Sequence, residues 1–596
     1  MKLSKIYSNQ DKKFKPIFFN MGLNFIYGDV RYPENRKLDS HNLGKTTLAR
    51  LLDFMLLAKR NNKSFLFANY DIFESFVFFL EVRLSENNYL TIRRSISDSS
   101  KISFFTHQEA NRNYISKPDR EWNHFDLPFD RAKAYLDSKL NLTAIKDWPY
   151  RKLISYLIRT QDDFRQVFQL SSQQRGKDAD WKPYMADLLG FNGELARQRY
   201  QVSKQCDDIK REIKEHQDFD EKNASEALSK TDGRLLLRNQ ELMELEQFIN
   251  GFNFNEIDKQ TIEQLVADID EQIIHLNMKE YSLKNSIYHI QQSFSEDNIK
   301  FDPKEVRQLF DEVSVLFSEQ VNKDFEQLIT FNRAITKERN SYLTQELIEN
   351  QQELASTQEE LKALNEERAK QLQFLQENEL IGKFKESNNR IAKVQAHIIN
   401  LTHQKQKIEK ILELQKQQRT LRLLLDDIED KMQNNVAEVN NSKDNTFSKI
   451  RLYFNEIISK VLNKRGEINV YLNKEGNFEF QAEYQDNSGV NTSESKGNTY
   501  QRLLCIAFDL AVTRAYFGRN FPTFIYIDGV FDSLDNRKKD LLLEVLREYS
   551  DIGIQIIATT INSQVQELTA PLTEDEIVLV LHDDGQTGRL FNMQTW

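Results

Sequence analysis

A long central stretch of the sequence contains almost no helix breakers. From Phe191 to Arg465 there is one proline, Pro303, and only four glycines: Gly193, Gly233, Gly251 and Gly382. Because proline and glycine interrupt helices, such a stretch predicts long helices. The other glycines and prolines lie in the flanks, residues 1–190 and 445–596, where the pattern is rich in β-strands.

Apolar residues in the middle recur at alternating steps of three and four. One run starts at Ile262 and ends at Ile290, with Glu280 as its one polar member. A second, less regular run covers 343–375, and a third covers 391–412, with Lys405 as its one polar member. A mean period of 3.5 favours a coiled-coil seam over a surface helix. The alternative is a series of separate amphipathic helices in a helical domain.

The breaks at Gly251 and Gly382 lie at similar distances from the two flanks, so an antiparallel hairpin would bring them together as a joint. Each arm of about 100 helical residues would reach on the order of 150 Å. We therefore predict an α/β head split between the chain ends, with a long antiparallel coiled-coil hairpin inserted. The predicted domains are 1–192 (first half of the head), 193–300 (ascending arm), 301–340 (tip), 341–444 (descending arm) and 445–596 (second half).

Composition predicts a soluble cytoplasmic protein with no membrane partner. The longest apolar runs, such as Phe76–Leu80, are far too short to span a bilayer, and the first residues lack an apolar signal region. The two cysteines, Cys206 and Cys505, are too far apart for a C-x-x-C metal site. The net charge of −10 argues weakly against a nucleic-acid-coated protein but leaves local basic clusters possible.

The first flank contains a candidate phosphate-binding loop. An apolar strand at 17–28 runs into Gly28, and Gly44-Lys45-Thr46-Thr47 precedes a segment with apolar residues at helical spacing. In such a loop the lysine neutralises phosphate oxygens and the threonine ligates Mg²⁺. The pattern G-x-x-x-x-G-K-[ST] asks for glycine where this sequence has Asp39. Either Gly28 is the displaced glycine and 29–39 an insertion, or the GKT is fortuitous.

The second flank supplies an independent signal. An apolar strand, Phe524–Ile527, ends in Asp528, and Asp535 follows seven residues later. A carboxylate at a strand end beside a phosphate loop is where Mg²⁺ is held. A further buried strand is predicted at Ile552–Thr560, and an antiparallel hairpin at Phe76–Ser85 and Tyr89–Ser97 in the first flank.

This combination resembles the ATP-binding-cassette heads (split P-loop ATPases) of SMC, RecN, RecF and SbcC-type proteins. The matching elements are the Walker A motif Asn42–Thr47, a Q-loop with Gln161, a signature Ser495–Asn498, the Walker B aspartate Asp528 and a D-loop with Asp535. The resemblance implies ATP and Mg²⁺ as ligands. It implies catalytic roles for Lys45, Gln161 and Asp528, a metal site of Thr46, Gln161 and Asp528, and ATP contacts from Asn42, Gly44, Lys45, Thr46, Thr47, Ser495, Gly497 and Asp535.

The sequence also departs from this family. Gly529 replaces the glutamate that activates the hydrolytic water, Thr560 stands at the switch-histidine position, and Lys496 replaces the first signature glycine. Hydrolysis is therefore expected to be slow. These departures, together with the stretch around 312–343, are similar to the SMC-like subunit of Lamassu-type three-component defence systems. The alternatives are a RecN or SbcC-type repair ATPase and a coiled-coil scaffold that binds ATP without hydrolysing it.

The resemblance implies four partners: a second copy that sandwiches ATP between two heads, DNA, an accessory subunit and an effector nuclease. SMC-like heads grip DNA phosphates with basic residues on head tops and coil necks. The neck candidates in this sequence are Arg197, Arg199, Lys204, Lys449, Arg451, Lys464 and Arg465. The alternative for each is an ordinary solvated helix face.

Overall fold

The computed structural model describes residues 1–31, 43–145, 148–171, 176–215, 224–251, 256–296, 320–371, 379–485, 500–532, 534–566 and 568–594. The chain forms two compact units, Met1–Ser203 with Leu424–Trp596, and Lys204–Leu423. We call the first the head and the second the helical unit. The two ends of the chain therefore build one unit, and the roots of the predicted arms belong to it.

The strands, in chain order, are β1 (Lys2–Ser8), β2 (Ile17–Phe18), β3 (Leu23–Asp29), β4 (Val77–Ser85), β5 (Asn88–Ser95), β6 (Lys101–His107), β7 (His124–Pro128), β8 (Ile158–Arg159), β9 (Arg465–Leu472), β10 (Phe478–Gln485), β11 (Phe524–Ile527), β12 (Gln555–Ile561) and β13 (Ile577–His582).

The helices are α1 (Lys45–Met55), α2 (Phe65–Ala68), α3 (Tyr70–Phe73), α4 (Phe129–Leu140), α5 (Tyr150–Leu157), α6 (Asp178–Leu188), α7 (Gly193–Glu215), α8 (Ala224–Asn250), α9 (Glu256–Glu296), α10 (Gln320–Gln371), α11 (Glu379–Asn441), α12 (Thr446–Leu462), α13 (Gln501–Ala515), α14 (Asn536–Asp551) and α15 (Asn562–Val565). None of the helices in the described ranges combines the length and apolar character needed to cross a membrane.

An antiparallel sheet of six strands, in the order β2-β1-β4-β5-β6-β7, forms one layer of the head. The predicted hairpin is confirmed as β4 and β5, which pair from Val77 opposite Ser95 to Ser85 opposite Asn88. Its turn contains Asn87 with φ 52°, a left-handed conformation that asparagine tolerates better than most residues.

The second sheet has five strands in the order β13-β3-β12-β11-β8, and all its pairings are parallel. Its central strands β11 and β12 are buried, as their continuous apolar runs predict. The prediction of one strand over 17–28 is wrong. Ile17–Phe18 pairs with β1 in the antiparallel sheet, and a turn at Met21–Gly22 separates it from β3. Gly28 lies inside β3 rather than in a turn. A glycine fits there because Ile561 and the Thr560 carbonyl leave little room for a side chain.

The helical unit packs α8, α9, α10 and α11 together. Lys279 of α9 forms an ion pair with Glu353 of α10 at 2.8 Å, and the Tyr281 ring lies 5.6 Å from that of His397 of α11. Helix α11 also reaches α8, through Lys405 and Asp232 at 2.9 Å. Apolar members of the heptad runs fill the interior; Ile273 and Leu361, for example, pack in one cluster.

The contact between α9 and α11 is one that the predicted antiparallel hairpin, with its joint at Gly251 and Gly382, did not specify. Contact of α9 with α11 means that the chain turns back after α8 ends at Asn250, instead of continuing in the same direction. A 3.5 period fixes which face of a helix is buried, but it is satisfied equally by one partner helix or by several. Gly382 lies within α11, which begins at Glu379, and nearly half of the predicted tip, residues 301–319, lies outside the described residues.

Candidate functional site

The parallel sheet brings three chain segments to one edge. Ile527, the last residue of β11, pairs with Ala558 of β12 on one side and with Arg159 of β8 on the other. Asp528 follows β11 directly, and α1 is the next element after β3 along the chain. In open sheets of parallel strands, ligands bind at the carboxyl ends of the strands. The predicted nucleotide residues of both flanks thus approach the same edge of the sheet.

Gly44 caps the amino end of α1 in a conformation that requires glycine. Its φ is 104°, and a Cβ added there would lie 2.6 Å from the Cβ of Leu590. The backbone of Lys45 is anchored to the sheet because the Tyr526 hydroxyl donates a hydrogen bond to its carbonyl oxygen at 2.8 Å. The first N–H groups of a helix have no partner within that helix and can hold an anion.

Asp528 links the two ends of the chain. The carboxylate is fully buried, and its Oδ2 accepts a hydrogen bond from Thr46 Oγ1 at 2.5 Å. Its Oδ1 accepts one from Thr559 Oγ1 at 2.8 Å, and that same hydroxyl oxygen accepts from the Gly529 N–H at 2.7 Å. A buried carboxylate needs such partners, so its orientation towards Thr46 is well determined. Sequence reasoning missed Thr559.

The side chain of Lys45 lies in the field of two acids. Burial lowers its pKa, while the carboxylates of Asp528 and Asp532 act in the opposite direction and raise it. A partly buried cation near carboxylates on one side is suited to bind a further anion on the other. The sequence analysis had identified Lys45 and Asp528 but not Asp532.

Gln161 opens a short 3₁₀ helix, Gln161–Arg165, just beyond the carboxyl end of β8, and its side chain is exposed. This segment is held by Asp163, whose carboxylate accepts hydrogen bonds from the Thr160 and Ser171 backbone N–H groups at 3.0 and 2.9 Å. Gln161 is therefore on the expected edge of the sheet.

Beneath this segment lies a buried ion pair that the sequence reasoning missed. Arg159 bonds both carboxylate oxygens of Asp509, at 2.6 and 3.0 Å. Burial lowers the pKa of Arg159, but the Asp509 carboxylate more than reverses this, so the pKa is raised and the guanidinium stays charged. An arginine in the otherwise apolar run Tyr156–Arg159 was the available signal for a buried pair.

A second cluster that the sequence did not reveal joins Arg502, Asp532 and Gln564. Arg502 Nη1 contacts Asp532 Oδ2 at 3.0 Å and donates to the carbonyl oxygens of Asp528 and Gly529 at 2.7 and 2.8 Å. Gln564 Nε2 donates to Asp532 Oδ1 at 2.6 Å. Asp532 is a third acid between Asp528 and Asp535, and that spacing was the only hint in the sequence.

The remaining site candidates divide into two groups. Asn42, Ser495 and Gly497 lie outside the described residues. Thr47 is half-buried in the first turn of α1. Asp535 caps α14, accepts a hydrogen bond from the Lys538 N–H at 3.1 Å and pairs with the Lys538 ammonium at 2.6 Å.

Two of the DNA candidates on α7 have partners within the head. Arg199 is buried and bonds Glu429 Oε1 at 3.0 Å and Asn477 Oδ1 at 2.6 Å. Arg197 pairs with Glu194 at 3.0 Å and stacks over the Trp148 ring. Arg199 thus ties α7 to α11 and does not present its charge to solvent.

The other DNA-binding candidates are exposed or half-buried. Lys204 and Arg465 are exposed, and Arg465 lies 3.6 Å from Glu467. Lys449, Arg451 and Lys464 are half-buried, with Arg451 over the Phe447 ring and Lys464 over the Tyr484 ring.

Comparison with known proteins adds the following. The model of a family described as "Uncharacterised protein conserved in bacteria (DUF2326)" matches residues 457–595. No curated protein matches the sequence. Solved structures also match, and two of them do so along most of their length, with low similarity. One is the Smc head domain with a coiled coil and joint from Pyrococcus yayanosii, at 14% identity over 94% of this chain and 92% of that one, with a TM-score of 0.36.

The other is the Smc head domain with an extended coiled coil, bound to the C-terminal domain of ScpA, from Pyrococcus furiosus. It is 12% identical over 95% of this chain and 91% of that one, also with a TM-score of 0.36. Because both scores are low, neither structure carries the function proposed below.

Proposed function

We propose that the head binds and hydrolyses ATP with Mg²⁺. The observation that carries this proposal is the hydrogen bond between Thr46 and Asp528, which are 482 residues apart in sequence. A hydroxyl at the start of a helix and a carboxylate at the end of a neighbouring parallel strand are the pair that phosphate-loop ATPases use to hold the metal. A fortuitous Gly-Lys-Thr has no reason to lie against such a carboxylate.

The residues fit Mg²⁺ bound together with a nucleotide. Mg²⁺ takes oxygen ligands and is usually held by one or two protein groups plus phosphates and water. Thr46 Oγ1 and Asp528 Oδ2 are two oxygens at one point beside the amino end of α1. When bound, the metal would neutralise charge on the phosphates. Lys45 would bind their terminal oxygens, and the first N–H groups of α1 would hold them in place.

The test of this proposal is ATP turnover by the purified protein. Wild type is expected to release phosphate from ATP, and Lys45→Ala to abolish that release, since the phosphates lose their cation. Lys12→Ala, at an exposed lysine in the head, serves as the control and should match wild type. A wild type no more active than Lys45→Ala would reject the proposal.

We further propose that two heads sandwich ATP and that the protein senses or clamps DNA in an antiphage or antiplasmid complex, where it controls an effector nuclease with an accessory subunit. This finer proposal is supported by the sequence resemblance to Lamassu-type subunits. Purification of the native complex tests it: a co-purifying nuclease is expected, and its absence would favour a repair ATPase.

Gly529 favours one other candidate, a scaffold that binds ATP without turning it over. It lacks the side chain that normally activates water. The two candidates differ in the measurement above, because a scaffold would bind ATP as well as the ATPase but release no phosphate.

A further inference from the structure

The backbone at Gly529 has no room for the glutamate expected there. Its φ is 72°, a conformation that side chains other than glycine rarely adopt. A Cβ built on Gly529 would collide with the carboxylate of Asp532 and lie 2.7 Å from Arg502 Nη1. The space that a side chain at 529 would enter is thus already filled by another acid.

The carboxylate of Asp532 is held there by groups from two other elements. Oδ2 pairs with Arg502 Nη1 of α13 at 3.0 Å, and Oδ1 accepts from Gln564 Nε2 of α15 at 2.6 Å. Gln564 is oriented in turn by the Thr560 hydroxyl, which donates to its Oε1 at 3.1 Å. The Asp532 side chain keeps 29% exposure, so it is fixed in position without being sealed from solvent.

Asp532 also lies beside the proposed metal-binding acid. Its backbone N–H donates to the carbonyl oxygen of Gly529, the residue after Asp528, at 3.2 Å. Through Arg502 it is tied to the carbonyl oxygens of Asp528 and Gly529. The acid therefore belongs to the same cluster as the metal-binding pair of Thr46 and Asp528.

We propose that Asp532 orients the attacking water in place of a glutamate at 529, with Arg502 and Gln564 as its positioning residues. This inference rests on the proposed ATPase function. A carboxylate has about four lone-pair sites, so it can accept from water while keeping both of its present partners.

The step balances without a further reactant. The water oxygen forms a bond to the γ-phosphorus while the bond from that phosphorus to the β–γ bridging oxygen breaks, and its electron pair stays on ADP. One water proton passes through Asp532 to solvent, and the products are ADP, inorganic phosphate and that proton. Asp532 ends the cycle as it began.

The experiment compares wild type, Asp532→Asn, Asp532→Glu and the control Asp551→Asn, at an exposed acid that ends α14. Steady-state phosphate release gives kcat, and binding of a fluorescent ATP analogue with Mg²⁺ gives Kd. Asp532→Asn should lower kcat about 100-fold, in the range that a positioned base contributes, while Kd changes less than about threefold. Asp532→Glu should recover part of the rate, and Asp551→Asn should match wild type.

Gln564→Ala keeps the acid but removes one of the two side chains that position it. This variant is needed if Asp532→Asn does not fold. It should lower kcat with little change in KM. Wild-type kcat in folded Asp532→Asn, or in Gln564→Ala if the first variant does not fold, would overturn the role of Asp532. If Lys45→Ala is nevertheless inactive, the proposed ATPase function stands. A wild type that releases no phosphate overturns both.

Discussion

Arg159 and Asp509 show how one buried pair supports the site edge. Their side chains are 1% and 4% exposed, and Arg159 also donates to the carbonyl oxygens of Asp163 and Val167 at 2.9 and 2.6 Å. The pair therefore connects β8 and α13 to the segment that carries Gln161. A charge left without its partner in such a place is strongly unfavourable.

Asp509→Ala is expected to lower the free energy of unfolding by about 3 kcal/mol, because it leaves Arg159 buried and unpaired. Urea denaturation followed by circular dichroism measures this. Asp551→Asn is the control and should lie within about 0.5 kcal/mol of wild type, since a surface change of this kind costs little. Equal stability of Asp509→Ala and wild type would mean that the pair is not closed in solution.

Gly44 and Gly585 form a matched pair for testing the loop. Both have positive φ, 104° and 72°, but only Gly44 has a neighbour in the path of a Cβ. Gly585→Ala should cost only the backbone strain, about 1–2 kcal/mol. Gly44→Ala should cost more in thermal unfolding and should also abolish ATP binding, because α1 must move away from Leu590. Normal ATP binding by Gly44→Ala would argue against a phosphate site at this helix.

At the scale of elements, the sequence predicted most of the pieces around the site. The helix α1, the strand β11 and the hairpin of β4 and β5 follow directly from apolar periodicity. The break between β2 and β3 was missed because 17–28 is mostly apolar. Asn20 and Gly22 were the available signal, and tertiary packing assigns the two halves to different sheets. The cluster of Arg502, Asp532 and Gln564 was not predicted either, because its members come from three separate segments of the chain.

The helical unit shows the clearest difference between the predicted and the observed arrangement of elements. Its buried residues were predicted, but the number of helices packed together was not, since heptads do not encode it. In an extended hairpin in which residue 251 lies beside residue 382, Tyr281 and His397 would be separated by about 45 helical residues, on the order of 70 Å. In the structure their rings are 5.6 Å apart.

A cysteine pair decides between these arrangements. Tyr281→Cys with His397→Cys, in a background of Cys206→Ser, should be joined within one chain by a short bis-maleimide cross-linker, visible as a mobility shift, because the two rings are in contact. Each single variant is the control and should show no shift. Absence of the cross-link in the double variant at low protein concentration would support the extended hairpin.

At the scale of the whole molecule, the head is assembled from the two ends of the chain. β3 pairs with β12 and β13. Near the two points where the chain leaves and re-enters the head, Arg199 of α7 lies 2.9 Å from Glu429 of α11, so these two points are close together. Closing such a gap with a short loop costs little entropy. The head should therefore fold without the helical unit.

Replacing residues 204–423 by a short Gly/Ser linker tests this expectation. The shortened protein should be monodisperse, unfold cooperatively and bind ATP with Mg²⁺ as the full chain does. The same protein carrying Asp509→Ala is the control for a damaged head. An aggregated or unfolded product would show that the helical unit is needed for the head to form.

The measurement that tests the central claim most directly is calorimetric titration of ATP into the full chain, with and without Mg²⁺, for wild type and Asp528→Asn. If residues from both ends make one site, Mg²⁺ should tighten binding to wild type, and Asp528→Asn should remove most of that gain because Thr46 loses its partner at the metal. An unchanged Mg²⁺ effect in Asp528→Asn, or no ATP binding by wild type, would contradict the account.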